Sequence, residues 1–367
     1  MTHKNGALAG IKVLDLSRIL AGPSCTQILG DLGAEVIKIE KPETGDDTRS
    51  WGPPFFEGTS AYYLSANRNK KSCFLDLKSE GDREKVFAIL ENTDILVENF
   101  KPGDLQRIAL DYESLASRFP RLIYCTITGF GLQGPYRDKP GYDALIQAMG
   151  GLMSITGPTQ NQPTKVGVAM TDLTAGLYAA VGILSALNER SHSGKGQHLE
   201  ISLFDCQVAS LANVAMNYLV SGEVPQPLGN HHPSIVPYGT YPCADGEIML
   251  AVGNDAQFSR LKKIVGNGLW ENEKFNTNQG RVEHRAELEA PLNQIFASQS
   301  RAHWLGLLEA AGIPAGPINN MRDLETDPHQ KARGLFRYMD DGKTPCLSNP
   351  IRLSRTPIKK YSPPGKN

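Results

Sequence analysis

The chain has 367 residues, which is enough for about two domains with a large buried core. Its 38 basic and 39 acidic side chains leave a formal net charge of −1, so no global charge favours nucleic acid or an anionic membrane surface. Six cysteines are spread singly, and the histidines form no metal-binding motif. We therefore expect reduced thiols, no metal and no nucleic-acid partner.

Residues 1–130 alternate between short apolar strands and helical segments. The predicted strands are Lys12–Ser17, Glu35–Glu40, Ser72–Leu77, Asp94–Phe100 and Leu122–Phe130, and the predicted helices are Ser24–Leu32, Asp82–Asn92 and Leu105–Arg118. This order predicts βαβ units and a mostly parallel sheet in an α/β fold. The turn after the first strand lacks GxGxxG spacing, so a nicotinamide dehydrogenase is not expected.

Two features bear on location. A strand pattern begins at Ile11, so we expect no leader peptide and a cytoplasmic protein. The longest apolar run, Leu177–Leu187, is too short to cross a bilayer, so no membrane partner is expected.

The second half of the chain predicts a change of domain. Residues 222–242 contain five prolines and three glycines, which is typical of a linker or a mobile loop. A hairpin with an Asp-Gly turn and three helical segments follow. We predict a large domain over 1–221, a linker over 222–242, a small α+β domain over 243–313, and a return of 314–367 to the large domain.

Asp172 stands at the start of a long apolar helical segment, and no other acidic residue follows before Glu189. A helix N-terminus presents unpaired N–H groups and partial positive charge, which favour an ionised carboxylate. Such a carboxylate can serve as a nucleophile. Aspartate is also a favoured capping residue, so a purely structural role is the alternative.

Longer motifs extend this observation. They are LDLSRILAGP (14–23), LGDLGAEVIKIEKPETGDDTR (29–49), VENFKPG (97–103), GFGLQGPYRDKPGYDALIQAMGGLMSITG (129–157) and the segment around Asp172. Together they resemble the family III CoA-transferases, a group that includes formyl-CoA transferase and carnitine CoA-transferase, over nearly the whole chain. The resemblance implies a Rossmann-like large domain with a parallel sheet plus a smaller α+β domain, in a ring-shaped chain that forms an interlocked homodimer. It also implies that coenzyme A enters as acyl-CoA substrate, not as a tightly bound cofactor, with a small carboxylic acid as the other substrate.

In that family an aspartate attacks the thioester, and Asp172 occupies the matching position. Carboxylate attack gives a mixed anhydride, comparable in energy to a thioester, and CoA thiolate then converts the anhydride to an aspartyl-CoA thioester. Tyr142 stands where racemases of the same fold carry a histidine. Tyrosine is a poor general base at neutral pH but can donate a hydrogen bond to an oxyanion. A core packing role for Tyr142 is the alternative.

The resemblance further implies CoA contacts near the ends of predicted strands. These residues are Leu20, Ala21, Lys41, Leu75, Asp76, Leu77, Lys78, Asn99, Phe100, Lys101, Arg107 and Asp143. The cations among them suit phosphate groups, and open α/β sheets bind ligands at strand ends. Taken singly, such cations are more often solvated surface charges.

Four further residues are expected to shape the acyl pocket. Arg18 replaces a histidine of the formyl-CoA enzyme and either pairs with the free carboxylate of a dicarboxylic acid or forms a structural ion pair. Trp51 and Tyr62 either approach the site or pack elsewhere. His232 lies in GNHHPSIVPYG (229–239), which is either a lid that excludes water or an interdomain linker. Asp46–Asp47 and the run Asn67–Lys71 are expected to face solvent.

These observations predict an enzyme that moves CoA from an acyl-CoA donor, with succinyl-CoA as one candidate, to a small carboxylic acid, with a dicarboxylic acid as one candidate. An acyl-CoA racemase or epimerase of the same fold is the first alternative. A non-catalytic acyl-CoA binding protein is the second.

Overall fold

The structure is a computed structural model that describes residues 6–158, 162–266, 270 and 272–365. The chain divides into two compact units. The first unit comprises Met1–Met153, Lys165–Val224 and Pro328–Asn367, and the second comprises Ser154–Thr164 and Pro225–Asp327.

The helices and strands follow in chain order. Up to the end of the first unit's second segment they are β1 (Lys12–Asp15), α1 (Ala21–Asp31), β2 (Glu35–Glu40), β3 (Phe55–Phe56), β4 (Thr59–Ser60), α2 (Ala61–Ala66), β5 (Lys70–Phe74), α3 (Glu80–Leu90), β6 (Ile95–Glu98), α4 (Tyr112–Ala116), β7 (Ile123–Thr128), α5 (Asp143–Met149), α6 (Leu152–Ile155), α7 (Met170–Ser193), β8 (His198–Ser202), α8 (Leu203–Ser210) and α9 (Ala212–Ser221). The remainder are β9 (Tyr238–Cys243), β10 (Gly246–Ala251), α10 (Asp255–Val265), α11 (Asn278–Glu283), α12 (Arg285–Ala297), α13 (Arg301–Ala310), β11 (Ala315–Pro317), α14 (Met321–Thr326), α15 (Pro328–Arg333), β12 (Phe336–Tyr338) and β13 (Pro345–Leu347).

A parallel sheet is the centre of the first unit. Within the described residues it has six strands in the order β5-β2-β1-β6-β7-β8, which confirms the predicted α/β architecture. Its central strands β6 and β7 are buried along their whole length, as expected for a parallel sheet covered on both faces. On one face Val97 and Ile123 pack with α1 and α7, and on the other Leu96 and Tyr124 pack with α3 and α4.

Local elements differ from the predictions in two places. The predicted helix Leu105–Arg118 is a 3-10 turn, Gln106–Ile108, followed by the short α4, because Ala109 adopts a left-handed backbone with φ 54° and interrupts the helical path. The predicted strand Ser72–Leu77 lies earlier, at Lys70–Phe74, where it pairs with β2 from Val36 to Glu40.

Helix α7 is longer than the apolar run within it. It has 24 residues and ends at Ser193, because the next residue, Gly194, adopts a left-handed backbone with φ 76°. By length and composition alone it could cross a membrane. Ala175, Ala179 and Ile183 of α7 are buried in the core of the first unit, which is the position of a core helix in a globular protein.

The second unit is built on an antiparallel sheet in the order β11-β10-β9. Tyr241 and Ile248 of the sheet pack with Phe296, Trp304 and Leu308 from α12 and α13. This unit extends beyond the predicted small domain, because β11 pairs with β10 and keeps residues 315–317 out of the return segment.

Residues 328–365 belong to the first unit. Asn69 and Ser362 exchange two hydrogen bonds, from each backbone N–H to the other residue, at 2.9 and 2.7 Å. Asn349 also donates to Asp31 at 2.9 Å. Ser362 and Asn349 therefore lie beside the sheet edge that carries β5.

Candidate active site

The turn after β1 lies at the point where the sheet order reverses. The chain runs from β1 outward to β2 and β5, then returns to β6 on the opposite side of β1. Open α/β sheets bind ligands at such a switch point. Here Arg18 follows β1 and Asn99 follows β6, and the two residues meet: Asn99 Oδ1 accepts from Arg18 N–H and Asn99 Nδ2 donates to Arg18 C=O, both at 2.8 Å. The Asn99 side chain, predicted to contact CoA, therefore holds the backbone of Arg18.

Buried ion pairs stabilise the same turn after β1. Ser17 N–H donates to Asp15 at 2.9 Å, and Lys38 Nζ donates to Ser17 C=O at 2.7 Å. Lys38 also pairs with Asp46 at 3.0 Å, and Lys70 pairs with Asp15 at 3.1 Å. Burial opposes ionisation of Asp15, but Lys70 and Lys38 hold its pKa down at about 2. The predictions that Asp46, Asn67, Arg68 and Lys70 face solvent are wrong, because these residues are buried and their charges are paired inside the fold, that of Arg68 with Asp31. Lys71 of the same run is exposed, as predicted.

Ile19 has an unusual backbone. Its φ is 70°, in the left-handed region that a β-branched residue rarely adopts. Its N–H points to Asp46, at 3.3 Å from Oδ2, and its neighbour Arg18 is fixed by Asn99. Strain of this kind persists only where surrounding contacts enforce it, and it is concentrated at functional sites.

A cavity of about 710 Å³ opens at the ends of β1, β2, β5 and β6. Of the residues predicted to bind CoA or the acyl group, it is lined by Arg18, Lys41, Leu75, Asp76, Leu77, Lys78, Phe100 and Arg107. Three cations assigned to phosphates thus surround one space. The structure places the others elsewhere: Leu20 and Ala21 are buried at the start of α1, and Lys101 lines a separate cavity of about 290 Å³.

The guanidinium of Arg18 is only partly satisfied. Its Nη1 lies 3.2 Å from Asp47 Oδ2, and its Cζ lies 5.5 Å from the centre of the Phe100 ring. Its buried Nε has no hydrogen-bond partner among the described residues. The predicted alternative of a buried ion pair does not describe this geometry, because Asp47 is 41% exposed.

Asp172 lies in the first turn of α7, two residues after its start at Met170. The residue that caps α7 is not Asp172 but Asp143, the first residue of α5. Asp143 Oδ1 accepts from Thr171 N–H at 2.8 Å and from Asp172 N–H at 3.4 Å. Gln147 donates to the other oxygen of Asp143 at 2.7 Å. Asp143, predicted to contact CoA, therefore has both oxygens occupied by protein donors.

The charge state of Asp172 differs from the prediction. Burial, reinforced by the negative charge of Asp143, raises the pKa of Asp172 to about 7. The expectation that the helix N-terminus keeps this carboxylate fully ionised is wrong, because burial and the charge of Asp143 both disfavour the ionised form. No side-chain or backbone donor binds its carboxyl oxygens within the part of the chain that the structure describes. The group is therefore half ionised near neutral pH and available to a ligand.

Two of the predicted aromatic residues lie together near Asp172. Trp51 and Tyr62 form an edge-to-face pair with ring centroids 5.3 Å apart. Burial and the charges of Asp172, Asp143 and Asp46 raise the pKa of Tyr62 to about 12, so its phenol stays protonated and can donate. Tyr142 directly precedes α5, and its side chain is 66% exposed.

His232 belongs to the second unit. Its ring lies 5.2 Å from that of Tyr238, and its carbonyl accepts from Arg285 at 2.7 Å. Arg285 also donates to Pro233 C=O, and Asn278 donates to Ser234 C=O. Burial and the charge of Arg285 lower the pKa of His232. These side chains bind the backbone of residues 229–239 to the second unit. That the segment is a lid over the active site, or a linker between domains, remains a prediction.

Sequence reasoning missed Asp47 and Glu98. Asp47 bridges Arg18 and Lys41, at 3.2 and 3.1 Å. Glu98, at the end of β6, accepts from Phe100 N–H at 2.8 Å, and burial raises its pKa to about 7. For Glu98 the available signal was its position at the end of a strand, whereas Asp47 begins a 3-10 turn, Asp47–Ser50, that follows β2. In the described residues no group of three or more His, Cys, Asp or Glu side chains is arranged to hold a metal.

The strand ends of the parallel sheet enclose a cation-lined cavity, and a partly exposed carboxylate lies on a neighbouring helix of the same unit. These features define an α/β enzyme suited to an anionic, phosphate-bearing substrate. CoA-transferase family III matches residues 8–366, and the chain belongs to this family. It is a CoA-transferase, as predicted.

Several relatives have names that state their substrates. The chain is 44% identical over 376 residues to the succinate–glutarate CoA-transferase of Agrobacterium fabrum, spanning 100% of this chain and 94% of that protein. It is 43% identical over 361 residues to the human succinyl-CoA:glutarate CoA-transferase, spanning 97% of this chain and 82% of that protein. Among solved structures, a CaiB/BaiF family protein from Brucella suis matches with a TM-score of 0.88 and 48% identity, covering 99% of this chain and 96% of that one.

Proposed function

We propose that this enzyme transfers CoA between succinyl-CoA and a small dicarboxylic acid such as glutarate, with Asp172 as the nucleophile. The names of the relatives from Agrobacterium fabrum and human support these substrates. The observation within the chain that carries the proposal is Arg18, which lines the strand-end cavity and whose Nε–H has no hydrogen-bond partner among the described residues. An arginine with a free donor is suited to the second carboxylate of a diacid, which a monocarboxylic acid does not have.

The CoA moiety occupies the cavity beside Arg18. Lys41, Lys78 and Arg107 contribute positive charge around its rim, and Leu75, Leu77 and Phe100 contribute apolar surface. The phosphates of CoA pair with the former, and its adenine packs on the latter.

The reaction proceeds through three covalent intermediates on Asp172: a mixed anhydride with the donor acid, an aspartyl-CoA thioester and a mixed anhydride with the acceptor acid. A carboxylate oxygen of Asp172 attacks the thioester carbon, the C–S bond breaks, and CoA thiolate leaves a mixed anhydride. The thiolate attacks the Asp172 carbonyl carbon of the anhydride and expels the donor acid, which gives an aspartyl-CoA thioester. The acceptor carboxylate attacks that carbon and releases the thiolate, and the thiolate then attacks the acceptor carbonyl to give the new acyl-CoA and free Asp172.

The surroundings of Asp172 suit this role. Because its pKa is about 7, the carboxylate is more basic than an ordinary aspartate when it is ionised. Tyr62 stays protonated and supplies a neutral donor close to the reacting groups. We also propose that Tyr142 donates a hydrogen bond to the oxyanion that forms when Asp172 attacks the thioester.

Covalent trapping tests the mechanism. Incubation with succinyl-CoA and hydroxylamine should place a hydroxamate on Asp172, detected by peptide mass spectrometry. Asp172→Ala should lower kcat more than about a thousandfold without loss of thermal stability, since its carboxyl accepts no hydrogen bond from the described residues. Full activity of Asp172→Ala would refute the nucleophile, and exchange of the acyl α-proton with deuterated solvent without an acceptor would indicate a racemase.

An acceptor panel tests the substrate class. Glutarate and other diacids should be used with a higher kcat/KM than monocarboxylic acids of equal chain length, such as pentanoate. Equal use of both classes would refute the dicarboxylate proposal while leaving CoA transfer intact.

We also propose a homodimer. The described part of the first unit exposes large apolar side chains on two helices, Leu177 and Val181 on α7 and Leu219 and Val220 on α9, at 56, 61, 71 and 82% exposure. Large apolar side chains that are exposed on neighbouring turns of a helix are typical of a protein interface. Sedimentation equilibrium should give twice the chain mass of 40.0 kDa, and a monomer at micromolar concentration would refute it.

A further inference from the structure

One carboxylate joins the two regions of the proposed site. Asp47 Oδ2 lies 3.2 Å from Arg18 Nη1, and Asp47 Oδ1 lies 3.1 Å from Lys41 Nζ. Both cations line the strand-end cavity. Under the proposed function, on which this inference rests, Arg18 meets the distal carboxylate of the diacid and Lys41 meets a phosphate of CoA. Asp47 therefore already pairs with the two cations that the substrates would use, through Nη1 of Arg18 and Nζ of Lys41.

The turn that carries Asp47 is firmly anchored, whereas its side chain is not. The preceding Asp46 is buried and paired with Lys38, and Arg49 binds Glu40 through two bonds of 2.7 and 2.8 Å. These pairs are shielded from water. By contrast, the side chains of Arg18, Asp47 and Lys41 are 37, 41 and 53% exposed. An exposed ion pair changes an equilibrium constant by at most about fivefold, so an incoming anion can displace it.

We propose that Asp47 is a specificity-determining internal competitor, displaced from Lys41 by a CoA phosphate and from Arg18 by the second carboxylate of a diacid. The competition has different consequences for the two classes of acceptor. A diacid whose second carboxylate binds the Arg18 guanidinium must compete with Asp47, which already holds Nη1, and this competition weakens the binding of the diacid. A monocarboxylic acid leaves Asp47 in place, so that Arg18 keeps a counter-charge while the acyl chain lies beside it. Asp47 therefore reduces the preference of the enzyme for diacids over monocarboxylic acids. It also keeps the affinity for CoA below the value that Lys41 alone would give.

Asp47→Asn removes the charge with little change of shape. The KM for succinyl-CoA and the KM for glutarate should each fall about two- to fivefold, because neither anion then has to displace a carboxylate. The KM for pentanoate should stay the same or rise, since Arg18 loses its counter-charge. The ratio of kcat/KM for glutarate to that for pentanoate should therefore increase. An unchanged or smaller ratio, or weaker use of succinyl-CoA, would overturn the proposal.

Two variants serve as controls. Glu91→Gln removes an exposed carboxylate that pairs with Arg118 at 2.6 Å outside the cavity, so it makes the same change in net charge and should leave every KM unaltered. Asp47→Glu keeps the negative charge and should retain the wild-type selectivity; an increase equal to that of Asp47→Asn would refute charge competition.

Calorimetric titration with CoA alone isolates the Lys41 half of the proposal. Asp47→Asn should bind CoA about two- to fivefold more tightly than wild type, and the gain should shrink as salt is raised. No gain at low salt would overturn this half. The outcomes separate the two levels of inference: a wild-type enzyme without preference for glutarate over pentanoate refutes the proposed diacid function, whereas a preference that Asp47→Asn leaves unchanged refutes only the role of Asp47.

Discussion

Replacing Asp143 with asparagine is expected to move the acid limb of the pH–rate profile to lower pH. Asp143 acts on Asp172 in two ways, by accepting its backbone N–H and by placing a negative charge beside its carboxyl group. Asparagine retains an acceptor for Thr171 and Asp172 and removes the charge. The perturbation therefore separates the electrostatic effect on Asp172 from the capping of α7.

The structure sets the size of the shift. The pKa of Asp172 rises from an ordinary 3.8 to about 7, with burial as the larger cause and Asp143 as the smaller. Asp143 thus accounts for less than half of the rise, or about one pH unit. At pH 6 the ionised fraction of Asp172 then increases from about one tenth to about one half, a gain of about fivefold in nucleophile. At pH 8.5 both enzymes are ionised and the gain disappears.

The measurement is kcat/KM for succinyl-CoA between pH 5.5 and 8.5 at constant ionic strength and saturating glutarate. This parameter reports ionisation in the free enzyme. The variant loses the Gln147 bond to Asp143, and the free energy of unfolding should fall by about 1 kcal/mol. Asp143→Ala, which also removes the cap, should fall further in stability.

The reasoning fails if the acid limb of Asp143→Asn coincides with that of wild type or moves to higher pH. Either result would mean that the group with a pKa near 7 that limits the rate is not Asp172.

Two predictions concern stability. Burial raises the pKa of Glu98 from 4.5 to about 7, so the folded state disfavours its ionised form and wild type loses stability as pH rises from about 4.5 to 7. Glu98→Gln keeps an acceptor for Phe100, and its advantage over wild type in free energy of unfolding, measured by urea denaturation, should grow between pH 5 and 8 by at most about 3 kcal/mol; a difference independent of pH would contradict this. A Cβ at Gly176 would meet Ser24 Oγ at 2.5 Å and Ala21 O at 2.8 Å, so Gly176→Ala should lower the urea midpoint by separating α1 from α7, at about 1–3 kcal/mol. Gly306→Ala, in a helix with open space around the glycine, should instead stabilise, and equal effects of the two substitutions would refute the packing argument.

Regular elements were predictable because their signal is local. The apolar pattern of residues 35–40 predicts β2 with the bounds that the structure shows, and the alternation of strands and helices predicts a parallel sheet. Boundaries were less predictable where a single backbone conformation intervenes. Ala109 in a left-handed conformation divides a segment whose apolar periodicity favours one helix.

The candidate site was predictable to a different degree. The motif resemblance identified Asp172 and Arg18 as site residues and predicted cations near strand ends. The structure brings Arg18 together with Lys41, Lys78 and Arg107 around one cavity. The resemblance did not predict that Asn99 binds the backbone of Arg18. That contact joins residues 81 positions apart, and no local pattern specifies which amide meets which carbonyl.

By itself, the sequence determined the fold class, the family and the residue proposed as nucleophile, because periodicity and long motifs are properties of the chain read in order. Only the tertiary structure decided the charge state of that residue. The pKa of Asp172 depends on its burial and on Asp143, 29 positions away, and both arise only when α5 and α7 pack together. The same holds for Asp47, whose two cations come from the ends of different strands. Electrostatic energy depends on distance in space and exposure to water, and neither quantity exists until the chain has folded.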